Sequence, residues 1–375
     1  MTQSRRLRVG VIFGGRSGEH DVSLRSAQAI LRAIDRDKFE VVPIGITRDG
    51  QWLIGGDPLR QLAATSRLPL AAGDDPPPAG APDPERALEL RDAGGAIDVA
   101  RAGWARQLDV VFPVLHGPFG EDGTVQGLLE LAGLPYVGSG VLGSAVAMDK
   151  VVAKQLCAHA GLPIVPWLWV TRRQWRQDPE AVADRVAREI GYPCFVKPAN
   201  LGSSVGVTKV HHAGELAPAM EEAGRHDRKI IVERGIDARE LEVSVLGNDD
   251  PMVSVVGEIR PSREFYDYEA KYVDDGSELL VPAPITEEQA ATVRDLALRA
   301  FQVVDAAGMA RVDFFLERAS GTIYLNEVNT IPGFTAISMY PMLWEASGLS
   351  FRDLVTRLIE LALERHADRH GGNAV

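Results

Sequence analysis

Short unbroken apolar runs alternate along this chain with longer amphipathic stretches, and the rhythm predicts strands followed by helices. Residues 8–13 predict a first strand, the turn GGRSGEHDVS follows, and residues 22–34 predict a helix before a second strand over 39–46. The pattern resumes at 108–115 with a strand, passes through the glycine-rich run HGPFGEDGTVQG and ends in a helix to about residue 132. Strand and helix in alternation, joined by glycine turns, imply an open and mainly parallel sheet. A Pro/Gly/Ala-rich stretch over 71–95 interrupts this order and is expected to be a surface insertion or mobile loop.

Near Met148 the texture changes. A helix over 149–160, an extended segment over 164–170, a helix over 179–190 and strands over 194–197, 206–210 and 230–233 predict a compact α+β unit. Beyond Arg234 strands return at 241–246 and 252–259, followed by a helix over 286–306, a hairpin, and a last helix over 351–367 whose polar tail past His366 should fray.

The hairpin carries the most chemistry. Runs over 311–316 and 322–328 flank Ala319-Ser320-Gly321, a loop with glycine where a left-handed residue is wanted. Side chains alternate along strands, so Arg311 shares a face with Asp313, and Glu327 shares one with Asn329. A loop centred on Ser320 sets Asp313 opposite Glu327 and Arg311 opposite Asn329. Two carboxylates and an amide oxygen suit Mg²⁺, which takes such hard ligands and leaves other positions to water and phosphate. The alternative is a solvated face with scattered charges, but the rest of both strands is apolar, and polar groups on a buried sheet usually have a task.

Composition narrows the classes. The 375 residues suggest two or three domains, and 25% charged with 45% hydrophobic residues is ordinary for a globular protein. A net charge of −12 argues against a general nucleic-acid or anionic-membrane binder while allowing a local basic pocket. Cys157 and Cys194 have no metal-type spacing and read as buried bystanders. The basic N-terminus precedes an apolar run too short for a signal peptide, and no stretch reaches the length of a membrane span, so the expected location is the cytoplasm.

Four other segments offer chemistry with a plainer alternative beside it. The first turn, residues 14–21, lacks the Gly-x-Gly-x-x-Gly spacing and sets Glu19 and Asp21 at a helix N-terminus; carboxylates there repel phosphate and suit a substrate ammonium, unless they only cap the helix. FVKPANLGSSVG, residues 195–206, ends an apolar strand in Lys197 and continues as a small-residue loop, fit either to approach phosphate oxygens or to make an ordinary hairpin. KIIVERGI, residues 229–236, ends an apolar strand in Glu233, which could accept from an adenine amine or simply be exposed. EFYDYEAKY, residues 264–272, reads as a lid bringing Lys271 to a phosphate, or as a helical turn with exposed charges. His211 and His212 lie past a strand end and are expected to be solvated.

In order, GGRSGEHDVSLRSA, HGPFGEDGTVQG, LPYVGSGVLGSAVAMDK, FVKPANLGSSVGV, IIVERGIDARELEVSVLG, FYDYEAKY, ARVDFF and LNEVNTIPGFTAISMYP make the chain resemble the ATP-grasp superfamily, and within it the D-alanine–D-alanine ligases. The resemblance spans nearly the whole chain, leaving out chiefly the 71–95 stretch and the tail. It implies an α/β protein of three domains: an open parallel α/β substrate domain over 1–147, then two α+β units over 148–233 and 234–375 that sandwich ATP, with a mobile loop at about 260–281. The implied reaction joins two D-alanines through a D-alanyl phosphate for peptidoglycan, with ATP and two Mg²⁺ or Mn²⁺.

The roles follow residue by residue. Lys150 and Lys197 would contact phosphates, with Ser203, Ser204 and Gly206 in the covering loop and Asn326 also in the ATP site. Glu233 and Arg234 would flank adenine, Ile236 would offer its backbone and Glu240 would bind ribose; some relatives carry lysine in place of Arg234. Asp313, Glu327 and Asn329 would hold the metals, and Lys271 and Tyr272 would come from the mobile loop. Glu19 would bind the first ammonium and be tied by Ser203 to Tyr272, His116 would lie beside that substrate, Arg311 and the Gly333 N–H would form the oxyanion site, and Ser338 would take the second carboxylate. A tyrosine at 272 goes with dipeptide synthesis, whereas phenylalanine there goes with D-alanine–D-lactate synthesis. A homodimer through the N-terminal domain is implied as well.

Overall fold

The computed structural model describes residues 5–66, 107–260, 277–335 and 337–371. The 71–95 stretch and the 264–272 segment, with Lys271 and Tyr272, lie outside the described residues.

The chain opens with β1 (Leu7–Gly14), α1 (His20–Ala33), β2 (Phe39–Ile46), β3 (Trp52–Ile54), α2 (Pro58–Ala63), β4 (Val110–Val114), α3 (Thr124–Leu131) and α4 (Val141–Met148). The sheet order is β3-β2-β1-β4, with β1 parallel to both neighbours and only β3 antiparallel. Alternation along the strands covers both faces: Val9, Val11 and Phe13 pack on Leu24 and Ile30 of α1, while Ile12, Ile44 and Val111 meet Val125 and Leu129 of α3. The ends of β1 and β4 therefore converge on the two glycine-rich turns.

A second unit follows: α5 (Lys150–His159), β5 (Trp167–Thr171), α6 (Arg172–Gln177), α7 (Pro179–Glu189), β6 (Cys194–Pro198), β7 (Thr208–Val210), α8 (Leu216–His226) and β8 (Lys229–Arg234). Its antiparallel sheet runs β5-β8-β6-β7. Local signals set the helices. Asp178 accepts from the Ala181 N–H with Pro179 at the first position of α7, and Val182 and Val186, four apart, enter the core. Asp149 caps α5 in the same way. Cys157 and Cys194 are buried and unpaired.

The last third holds β9 (Ala238–Gly247), β10 (Met252–Arg260), β11 (Glu278–Leu280), α9 (Glu287–Val303), β12 (Gly308–Glu317), β13 (Ile323–Asn329), α10 (Met339–Ala346) and α11 (Phe351–Arg369). The sheet order is β11-β10-β9-β12-β13, and α9 starts in a Thr286/Gln289 capping box and packs on it. The final helix runs past the expected fraying point at His366, because Arg365 stacks over the Tyr136 ring and Arg369 pairs with Glu130. Leu354 and Leu358 of α11 join the core beneath the first sheet, so the two ends of the chain share one apolar cluster.

Candidate active site

The β12–β13 ladder sets Arg311 opposite Asn329 and Asp313 opposite Glu327, the register expected from alternation. Near the turn the pairing is one step different, with Phe314 opposite Leu325, and a bulge at Asn326 restores it. The bulge turns Asn326 and Glu327 into the same cleft, although they are neighbours in sequence. Arg311 grips Asp313 with two bonds of 2.7 Å, and Glu242 from β9 approaches its Nε at 3.0 Å. Burial opposes a guanidinium charge here, yet Asp313 and Glu242 outweigh it and hold Arg311 well above its ordinary value. The Asn329 amide donates to Asp313 at 3.0 Å.

Above this face lies a lysine cluster. Lys150, in the first turn of α5, donates to the Leu201 carbonyl at 2.8 Å and stands 3.4 Å from Glu327. Lys197, near the end of β6, donates to Glu233 at 2.6 Å. Residues 199–207 link β6 to β7, so the hairpin alternative and the small-residue loop are one object. Ser203 and Ser204 take left-handed backbone angles of +50° and +58°, which side chains rarely adopt outside over-determined functional loops. Glu233 is 2% exposed, which sets aside the exposed reading. Burial alone pushes its carboxyl up, but the ammonium groups of Lys154 and Lys197 override that and bring it down to about 2.

At the other side Glu19 begins α1 without capping it. Its carboxylate instead accepts from the Ser203 hydroxyl, while Asp21 pairs with Arg48 at 2.7 Å. Gly117 has φ +73°, which favours glycine, and a Cβ there would come 2.6 Å from Glu19 Oε2 and push that carboxylate aside. Glu121 accepts from the Gly117 N–H at 2.6 Å; burial and then Glu19 raise its carboxyl to about 8. Burial lowers His116, whose Nδ1 donates to the Ile331 carbonyl at 3.0 Å, leaving Nε2 to accept from Ser26 at 3.2 Å. Ser338 bonds Thr335, and its Oγ would lie 3.0 Å from a Cβ on Gly333.

One cleft of about 280 Å³ gathers Glu19, His116, Lys150, Lys197, Ser203 and Ser204. It also takes in Glu240, Arg311, Asn326, Glu327, Asn329, Gly333 and Ser338. Asp313 and Glu233 sit behind its wall, held by the partners above. Gly206, Arg234 and Ile236 are not in the wall, and Arg234 instead donates to the Ile190 carbonyl at 3.1 Å. His211 and His212 are exposed. Sequence reasoning passed over Lys154, Glu121, Glu242 and Arg25. The four-residue spacing of Lys154 from Lys150 puts both on one helix face, but nothing in the sequence says that Lys154 turns inward.

The hairpin donors suit a hard cation. Asp313 and Glu327 face each other on adjacent strands with Asn329 beside them, all oxygen donors; Glu327 and Asn329 line a wall that also carries lysines for phosphate oxygens, and Asp313 lies directly behind it.

Residues 8–139 match the family described as D-ala D-ala ligase N-terminus, and residues 156–360 match D-ala D-ala ligase C-terminus. The D-alanine–D-alanine ligase of Geobacillus kaustophilus (strain HTA426) is 51% identical over 372 residues, covering 96% of each chain. That of Heliobacterium modesticaldum is 50% identical over 366 residues, again 96% of each. Among solved structures, the D-alanine-D-alanine ligase from Coxiella burnetii superposes with a TM-score of 0.79 at 35% identity, covering 98% of this chain and 97% of that one. The VanG D-Ala:D-Ser ligase from Enterococcus faecalis gives 0.77 at 38% identity, covering 96% of this chain and 100% of that one.

Proposed function

The chain belongs to the D-alanine–D-alanine ligase family, and we infer that it joins two D-alanines into D-alanyl-D-alanine at the expense of ATP, releasing ADP and phosphate. It is an ATP-dependent carboxylate–amine ligase of α/β ATP-grasp fold. The observation that carries the reading is a single cleft with an acid-lined turn at Glu19 and a lysine-lined wall at Lys150 and Lys197. An amino acid and a polyphosphate have those complementary charges.

A carboxylate is a poor acyl donor. Transfer of the γ-phosphoryl group to the first D-alanine gives an acyl phosphate. The neutral amine of the second D-alanine attacks its carbonyl, the C–O bond breaks with its electron pair going to the leaving phosphate, and the nitrogen gives up a proton to form the amide. Glu19, steadied by Ser203, holds the first ammonium, with His116 beside it. Lys150, Lys197 and the loop of Ser203, Ser204 and Gly206 take the phosphates; Glu233, Arg234, Ile236 and Asn326 take the base end and Glu240 the ribose. Arg311 and the Gly333 N–H stabilise the developing oxyanion, and losing one such donor costs roughly 10²–10³ in rate. Ser338 receives the second carboxylate, while Lys271 and Tyr272 close the site and exclude water. Asp313, Glu327 and Asn329 would hold Mg²⁺ or Mn²⁺, which neutralises charge on the transferring phosphoryl group when bound.

The same reading places the enzyme in cytoplasmic peptidoglycan synthesis, as a homodimer through the N-terminal domain, with domain limits at 147 and 233. Among the described residues no helix is long and apolar enough to cross a membrane.

The test is phosphate release from Mg-ATP with D-alanine, beside L-alanine and beside D-alanine mixed with D-lactate or D-serine, with products identified by mass. Release with D-alanine alone and a dipeptide mass are expected. No release with D-alanine, or a mixed product preferred over the dipeptide, overturns the assignment.

A further inference from the structure

Lys154 ends a buried charge chain, Lys197–Glu233–Lys154, and is the one member to which the reading above gives no part. It sits one turn after Lys150 on α5 and is 3% exposed. Its ammonium reaches Glu233 Oε1 at 3.0 Å and donates to the Asn326 carbonyl at 3.3 Å, while Lys197 holds Glu233 Oε2 at 2.6 Å. Each carboxylate oxygen thus has its own ammonium, and the three groups together carry one positive charge in excess.

We propose that Lys154 is a positioning residue for the nucleotide: it keeps Glu233 compensated so that Lys197 can be released to the phosphates. The inference rests on the ligase reading. Lys197 lines the cleft and Lys154 does not, so only Lys197 can reach a bound polyphosphate. When Lys197 turns away, an ionised carboxylate buried as deeply as Glu233 would be left without a counter-ion, a costly state in a site of low dielectric. Lys154 prevents it by remaining as the second half of a neutral pair. Its bond to the Asn326 carbonyl also fixes the bulged peptide that presents Asn326 and Glu327 to the cleft. An ammonium in this place makes the lysine on the wall transferable.

The experiment is a double-mutant cycle of Lys154→Met and Glu233→Gln, with Lys154→Arg as the charge-conserving control. Steady-state KM values for ATP and D-alanine are read beside direct equilibrium binding of Mg-ATP to the free enzyme. In the wild-type background Lys154→Met should raise the KM for ATP, and weaken direct binding, by about tenfold or more, the equivalent of about 1.4 kcal/mol. The KM for D-alanine should stay within about twofold, and Lys154→Arg should recover most of the loss. In the Glu233→Gln background, with no carboxylate to compensate, Lys154→Met should change ATP binding little. Equal effects in both backgrounds, an unchanged KM for ATP, or parallel rises in both KM values would each overturn the proposal. If Lys154→Met does not fold, Lys154→Gln is read in the same cycle. Direct ATP binding separates the two failures: a wild type that binds ATP but makes no dipeptide sinks the ligase reading, whereas a cycle without coupling sinks the role of Lys154.

Discussion

Glu233 and Glu121 are both pressed by burial toward the neutral acid, yet their surroundings drive them apart. Two lysines pull Glu233 down to about 2, whereas Glu19 pushes Glu121 up further, to about 8. The difference follows the ligands proposed for each side. Where a polyanion is to lie, the protein has set two ammonium groups, Lys154 and Lys197, on the one carboxylate of Glu233 before it arrives. Where an ammonium is to lie, it has set Glu19 and Glu121 close together, and burial with the Glu19 charge holds the Glu121 carboxyl well above the ordinary carboxylate range. Preorganised charge of this kind avoids reorganisation at the moment of reaction.

The comparison is tested hardest at the hairpin between the two sides. Glu327 is only partly buried, and its contact with Lys150 at 3.4 Å is loose, so Glu327→Ala should leave the fold intact. Turnover should nevertheless fall by about 10³ or more, because phosphoryl transfer depends on charge neutralisation at this point. Dipeptide formation measured at saturating substrates, with a melting curve as control, gives the answer. Near-normal turnover would mean that the charged hairpin face does not serve the reaction and that the two sides need no common centre.

A smaller effect sharpens the contrast directly. Glu121 binds its proton more tightly folded than unfolded, so the folded state holds more protons and stability falls as pH rises from about 4.5 to about 8. Glu121→Gln is neutral throughout. It should melt close to the wild type near pH 5 and above it by a growing margin toward pH 8, read by thermal denaturation across that range. Glu233 has the opposite sign, with stability present above about 4.5 and lost as pH falls toward about 2. A constant gap between wild type and Glu121→Gln would remove the protonated acid from the ammonium side.

Regular strands made half of this site readable in the sequence. Alternation placed Arg311, Asp313, Glu327 and Asn329 on one patch, although the bulge at Asn326 that keeps their register left no mark in the composition. The strand–helix order of the first unit was equally legible, because its strands are short, mainly apolar runs and the first ends in a glycine turn ahead of an amphipathic helix. Short or late elements were not: β3, α2, α4 and α10 lack a strong period and are held by tertiary contacts. Buried charges were the least visible. Whether Lys154 or Glu242 turns inward depends on partners far along the chain, and a single sequence does not say which lysine on a helix finds a buried carboxylate.

The mildest test separates two acids that the sequence sets side by side. Glu19 and Asp21 both open α1, and a charge count at that turn treats them alike. Their partners differ: Glu19 accepts from Ser203 at the cleft, whereas Asp21 is paired with Arg48 and does not line the cleft. An acid already matched by a guanidinium adds nothing to the field that an incoming ammonium meets. Asp21→Asn should therefore leave the KM for D-alanine within about twofold while removing a favourable charge from the helix start, worth about 0.3–1 kcal/mol, together with a half-exposed pair of similar size. Glu19→Gln, by contrast, removes the carboxylate that faces the substrate and should raise that KM about tenfold or more. If Asp21→Asn weakened D-alanine binding as much as Glu19→Gln, the acid side of the cleft would be a diffuse field, and the contrast between its two glutamates would lose its local cause.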